Sequence, residues 1–239
     1  MALAGCGGSG GDDGGGGGDP GNRPRAANDA ADAADAAREI ATALESADCE
    51  ALRARLHPIV RQGGRGDCRT TQALSRSSQA TGTADSAKAY GSGALARLGT
   101  ASGQPVWLLM LRDMDRRFKF VTLSSPSRDT PLPLSDDVDA TVEQGVTRLS
   151  HDDCEGFFNY FSAYEPGGNT PALVCKLKWL RRLLADLRRS RTVPSVKRLG
   201  GDGYYAFYEI ALKEGQAWTA LLGADEDGFY RVMTAGRSR

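Results

Sequence analysis

The chain has 239 residues, 40% of them hydrophobic, enough apolar matter for one large or two small folded domains. Lysine plus arginine balance aspartate plus glutamate at 30 each, so no net field draws an acidic partner, and no nucleic-acid partner is expected. No apolar run reaches the roughly 18 residues of a membrane-spanning helix, so any membrane link of this stretch is expected to be a lipid.

At the amino terminus, Leu3-Ala4-Gly5-Cys6 resembles the lipobox of bacterial lipoproteins, in which a small residue precedes the cysteine that receives diacylglycerol. The resemblance implies lipidation at Cys6, export, and anchoring to the cell membrane from the outside. The basic and apolar segments that precede such a box are absent here, which predicts a translation start upstream of Met1. Glycine and aspartate dominate as far as Asp19, and Pro20 to Arg25 add prolines and arginines without apolar periodicity, so residues 1–27 read as lipobox and tether. The glycine run lacks both the preceding strand and the Gly-Lys-Ser/Thr of a phosphate loop.

From Asn28 the sequence is alanine-rich, with Ile40 and Leu44 four apart, then Leu52 and Leu56 before Pro58. This predicts two helices that break near Asp48. Strands are expected over Ala94–Leu98, Val106–Leu111 and Phe118–Leu123. Ser125 to Leu134 carries Pro126, Pro131 and Pro133 and reads as an extended connector. Beyond it, Val138, Val142, Val146 and Leu149 form a helical stripe. Phe157, Phe158 and Phe161 follow a cysteine, and Leu177, Leu180, Leu184 and Leu187 mark a third helix. The period then changes. Val196–Leu199, Tyr204–Leu212, Trp218–Leu222 and Phe229–Thr234 are short apolar runs separated by turn-forming residues, as in an antiparallel meander.

The two stretches echo one another. Asp48-Cys49-Glu50 recurs as Asp153-Cys154-Glu155, Cys68 as Cys175, and Ser86 to Gly91 as Ser195 to Gly200. Gly103-Gln104 with Trp107 recurs as Gly215-Gln216 with Trp218, and Phe118 and Val121 as Phe229 and Val232. The markers keep their order with small insertions only, which predicts a tandem duplication: an α+β fold of two units, residues 28–126 and 135–239, joined by 127–134. Each unit has two to three helices followed by a curled antiparallel sheet. Four cysteines besides Cys6 permit three pairings, and the duplication selects Cys49 with Cys68 and Cys154 with Cys175. Such bridges persist outside the cytoplasm, in agreement with the lipobox. No Cys-x-x-Cys occurs, and His57 and His151 fall at non-equivalent places, so neither a metal nor a cofactor is expected.

Helices followed by a curled sheet in about 100 residues resemble the nuclear transport factor 2-like superfamily, a cone-shaped fold that includes ketosteroid-isomerase-like enzymes and many exported bacterial lipoproteins. The resemblance implies a sheet wrapped around the first helix and a ligand site at the cone mouth. Tyr205, Phe207, Glu209, Trp218 and Phe229 are the candidate lining of that site in the second unit. Glu209 reads either as a general base in an apolar pocket or as a solvent-facing residue at a strand end. Val106–Leu111 is apolar on both faces, and is covered either by the other unit's sheet or within its own unit.

Lys178, Arg181, Arg182, Arg188 and Arg189 form a basic helix face, suited to anionic headgroups or an envelope polyanion, or simply solvated. No nucleophile signature is present. The expected function is a non-catalytic envelope module that binds a small apolar ligand or a protein. The alternative is a ketosteroid-isomerase-like or dehydratase-like enzyme using a buried carboxylate in the second unit.

Overall fold

The computed structural model describes residues 23–62, 67–125, 136–160, 171–224 and 230–238. Cys6, Phe229, most of the expected tether and the proline-rich connector lie outside these residues.

The first half runs α1 (Arg23–Glu45), α2 (Cys49–Arg55), α3 (Pro58–Gln62), α4 (Cys68–Ser78), then β1 (Ala80–Tyr90), β2 (Gly93–Thr100), β3 (Val106–Arg112) and β4 (Phe118–Ser124). The second runs α5 (Asp136–Ser150), α6 (Cys154–Phe157), α7 (Pro171–Val174), α8 (Lys178–Ser190), then β5 (Ser195–Gly201), β6 (Tyr205–Ala211), β7 (Ala217–Ala224) and β8 (Tyr230–Arg237). Each set of strands makes one antiparallel four-stranded sheet in sequence order. In both sheets the central pair is regular, while the outer pairs carry register shifts that bend the strands. The fold is therefore α+β.

The same turn follows the long first helix in each half. Ala47 and Asp152 adopt left-handed conformations, at φ 52° and 59°. The next amide reaches back five residues, Asp48 N to Ala43 O at 3.0 Å and Asp153 N to Arg148 O at 2.9 Å. That pattern satisfies carbonyls at a helix end. The same aspartates then cap the following helix, Asp48 accepting from Ala51 N at 3.0 Å and Asp153 from Gly156 N at 2.7 Å. The cysteine after each cap is thereby fixed, and the bridges Cys49–Cys68 and Cys154–Cys175 form.

Four elements, α3, α4, α7 and β1, were not foreseen, and α1 starts earlier than expected. Among the apolar positions of α4 only Leu74 stands out, so its helix leaves no stripe in the sequence. Asp67 caps it instead, accepting from Thr70 N at 2.7 Å. α1 begins at Arg23, five residues inside the stretch read as tether.

Strand alternation distributes the core. Along β3, Val106, Leu108 and Met110 join Ile40, Leu44, Leu52 and Phe120 in the first half's core, whereas Leu109 and Leu111 face the other way. There they meet Tyr205, Phe207 and Leu221 of the second sheet. The apolar character of both faces of β3 thus reflects two coverings, helices on one side and the other sheet on the opposite side. In the second half, Val138, Val142, Val146, Leu149, Leu180, Leu184 and Leu187 pack on Tyr208, Ile210 and Trp218. Each such buried side chain stabilises the fold by about 2 kcal/mol relative to exposure.

Candidate functional site: a cleft between the halves

Leu56 forms an isolated parallel bridge with Phe120, and the amide of His57 donates to Phe120 O at 2.8 Å. These contacts pin the segment between α2 and α3 along the edge of β4, beside the β3–β4 turn that carries Asp113 and Met114. From the other half come one side of α8 and the ends of β7 and β8. Together they enclose a cleft of about 440 Å³, within the size range of small-molecule sites.

The walls are apolar and aromatic: Ile59, Met114, Trp179 and Trp218. The polar lining is His57, Asp113, Arg182, Asp186, Arg189 and Arg237. Asp186 is 4% exposed, and two donors and one further cation address its carboxylate. The Trp218 indole N–H donates to Oδ2 at 3.0 Å, Arg189 pairs with Oδ1, and Arg237 Nε lies 3.9 Å from Oδ2. A buried charge is tolerable only with such compensation. The arrangement holds Arg189 at the cleft, with Arg237 beside the same carboxylate. Arg182 is exposed and has no carboxylate partner among the described residues.

His57 is 4% exposed, and burial pushes its pKa down to about 4, so the ring is neutral at pH 7. Its Nδ1 accepts from Ile59 N at 3.3 Å, while Nε2 has no hydrogen-bond partner among the described residues. A β-carbon at Gly236 would crowd this ring, so the bare backbone of β8 lets the two halves close on it.

The expected pocket residues are dispersed. Tyr205 and Phe207 are buried between the two sheets, Phe207 stacking on Tyr90 at 5.8 Å between ring centroids. Glu209 shares their face of β6, half-buried, opposite Lys197 and Thr219. Trp218 alone of the described set reaches the cleft. The void enclosed by α5, α8 and the second sheet is about 10 Å³, room for one water at most. Another polar contact crosses the edge of that core: the Tyr208 hydroxyl donates to Asp139 on α5, and burial together with this carboxylate raises the tyrosine pKa. Lys178, Arg181, Arg182, Arg188 and Arg189 all lie exposed on α8.

His57, Asp113, Met114, Asp186 and Arg237 were missed by sequence reasoning. One signal for Asp186 existed, a charged residue between Leu183 and Leu187 on the apolar stripe. His57 gave none, since its burial comes from segments distant in the chain, the β3–β4 region and β8 at Gly236. Compared with family models, curated proteins and solved structures, the chain matches none.

Proposed function

We propose that this is an exported, lipid-anchored envelope protein, built by duplication of a nuclear transport factor 2-like unit, that acts as a non-catalytic binding module. Its ligand site is the cleft between the two halves. The observation that carries the reading is the composition of that cleft: aromatic and aliphatic walls with three arginines, one of them unpaired among the described residues, against two carboxylates, Asp186, which Trp218 and Arg189 engage, and Asp113, which accepts from the amide of Met114. Such a lining suits a small molecule with an apolar body and an anionic group, because guanidinium groups bind carboxylate and phosphate in fixed geometry while the indoles take the apolar part. Two disulfides, of the kind that persist outside the cytoplasm, support export. Among the described residues no helix is long and apolar enough to cross a membrane, which is consistent with attachment through Cys6. The repeated turn, cap and bridge support duplication.

Anilinonaphthalene sulfonate, an apolar anion, tests the site by energy transfer from tryptophan. Saturable one-site binding to the native protein is expected, weakened at least tenfold in the Arg182→Ala/Met114→Ser variant with an unchanged circular dichroism spectrum. Binding equal in the variant and the parent would reject the cleft.

A further inference from the structure

α8 divides its residues sharply. Trp179, Leu180, Leu183, Leu184 and Leu187 are buried, and the outward face presents Lys178, Arg181, Arg182, Ala185, Arg188 and Arg189. Two of these cations are spoken for, Arg188 by Asp152 at 2.7 Å and Arg189 by Asp186. Lys178 and Arg181 have no acidic partner among the described residues, and exposed Lys176 and Arg191 extend the row beyond both ends of the helix. Large hydrophobic side chains stand exposed at both ends too. Leu173 precedes the helix at 51% exposure and Val193 follows it at 91%; the only other described large hydrophobic of this kind, Met114, belongs to the cleft.

We propose that this face docks on an anionic lipid surface, with Leu173 and Val193 making shallow apolar contacts on either side of the basic row. A 13-residue helix is about 20 Å long, so the row spans several headgroups. Protein partners are a poorer fit, because interface cores are depleted of charged residues and centre on aromatic anchors, whereas the outward residues of this helix are charged except Ala185 and include no aromatic. Anionic headgroups require only long, unpaired cations, reinforced by apolar side chains that enter the acyl boundary. The inference needs neither the lipid at Cys6 nor an occupied cleft.

The experiment uses the full chain without lipidation and vesicles of phosphatidylcholine with or without 30% phosphatidylglycerol (about one anionic headgroup in three, enough for a surface potential). Partition is expected on the anionic vesicles only, and weaker as salt rises. Lys178→Gln and Arg181→Gln each lower the partition coefficient about fivefold, and together roughly 25-fold, at about 1 kcal/mol per cation. Leu173→Ser/Val193→Ser lowers it by a factor that persists in high salt. All four positions are exposed and lie outside the cleft, so sulfonate binding by these variants stays unchanged, and failure here is distinct from failure of the cleft. Equal partition on both vesicle types, or a Lys178→Gln/Arg181→Gln variant within twofold of the parent, would overturn the proposal. So would tighter binding to soluble polyphosphate than to vesicles at matched phosphate concentration.

Discussion

A buried neutral imidazole ties the junction of the two halves to pH. His57 titrates near 6.5 when the chain is unfolded and near 4 when folded, because burial disfavours the cation. Above pH 6.5 both states are neutral and the ring adds no pH dependence. As pH falls from 6.5 toward 4 the unfolded chain takes up a proton that the native state refuses, so stability declines through that window and levels off below it. The full loss is about 3 kcal/mol. Urea unfolding at pH 7.5, 6, 5 and 4.5 should show the midpoint of the parent falling relative to His57→Gln, which lacks this titration. Parallel pH profiles for the two proteins would mean that the ring is solvated. Nothing local in the sequence reveals this residue: a histidine before Pro58 looks like a helix terminus, and one of the segments that cover its ring is β8 at Gly236, far along the chain. Asp186 differs, since its interruption of a leucine stripe is legible while its partners Trp218 and Arg237 are not.

At the scale of elements, the legible parts were those with strong periodicity or strong punctuation. The valine stripe of α5 and, from Leu180 on, the leucine stripe of α8 bury the residues their spacing indicates, while Leu177 precedes the helix and is half-buried, and the Asp-Cys markers coincide with helix caps. α4 and β1 were obscure for the opposite reason: Thr, Ser, Gln and Ala give neither element a clear apolar face, and each is held by what it packs against. In α4 that support is the bridge to Cys49, together with the Asp67 cap. Each disulfide closes a loop, with sequence separations of 19 and 21, worth about 3 kcal/mol by restriction of the unfolded chain. Cys154→Ser/Cys175→Ser is therefore expected to lower the unfolding free energy by that much, read as a lower denaturant midpoint at unchanged m, and a reducing agent should remove the contribution of both bridges from the parent. A variant as stable as the parent would show that the caps alone hold these helices.

On the scale of the molecule, the two sheets are coupled through a core that neither owns. Phe207 of β6 fills the space a side chain at Gly93 of β2 would need, and Tyr90 of β1 does the same at Gly200 of β5. The apolar run Val106–Leu111 foretold a covering on both faces, yet the sequence could not say which residues would meet, because aromatic-on-glycine contacts between distant segments leave no local pattern. The coupling is measurable. Gly93→Val alone overpacks the interface and should cost about 1–3 kcal/mol; Phe207→Ala alone empties it and should cost about 3–5 kcal/mol. In the double variant the valine enters the vacated volume, so the combined loss should fall short of the sum by at least 1 kcal/mol, as for residues in direct contact. Because this shared core links both units, all four proteins should unfold in one transition rather than two. Strict additivity, or a second transition in the parent, would mean that the sheets fold as independent bodies and that the cleft between them has no fixed shape.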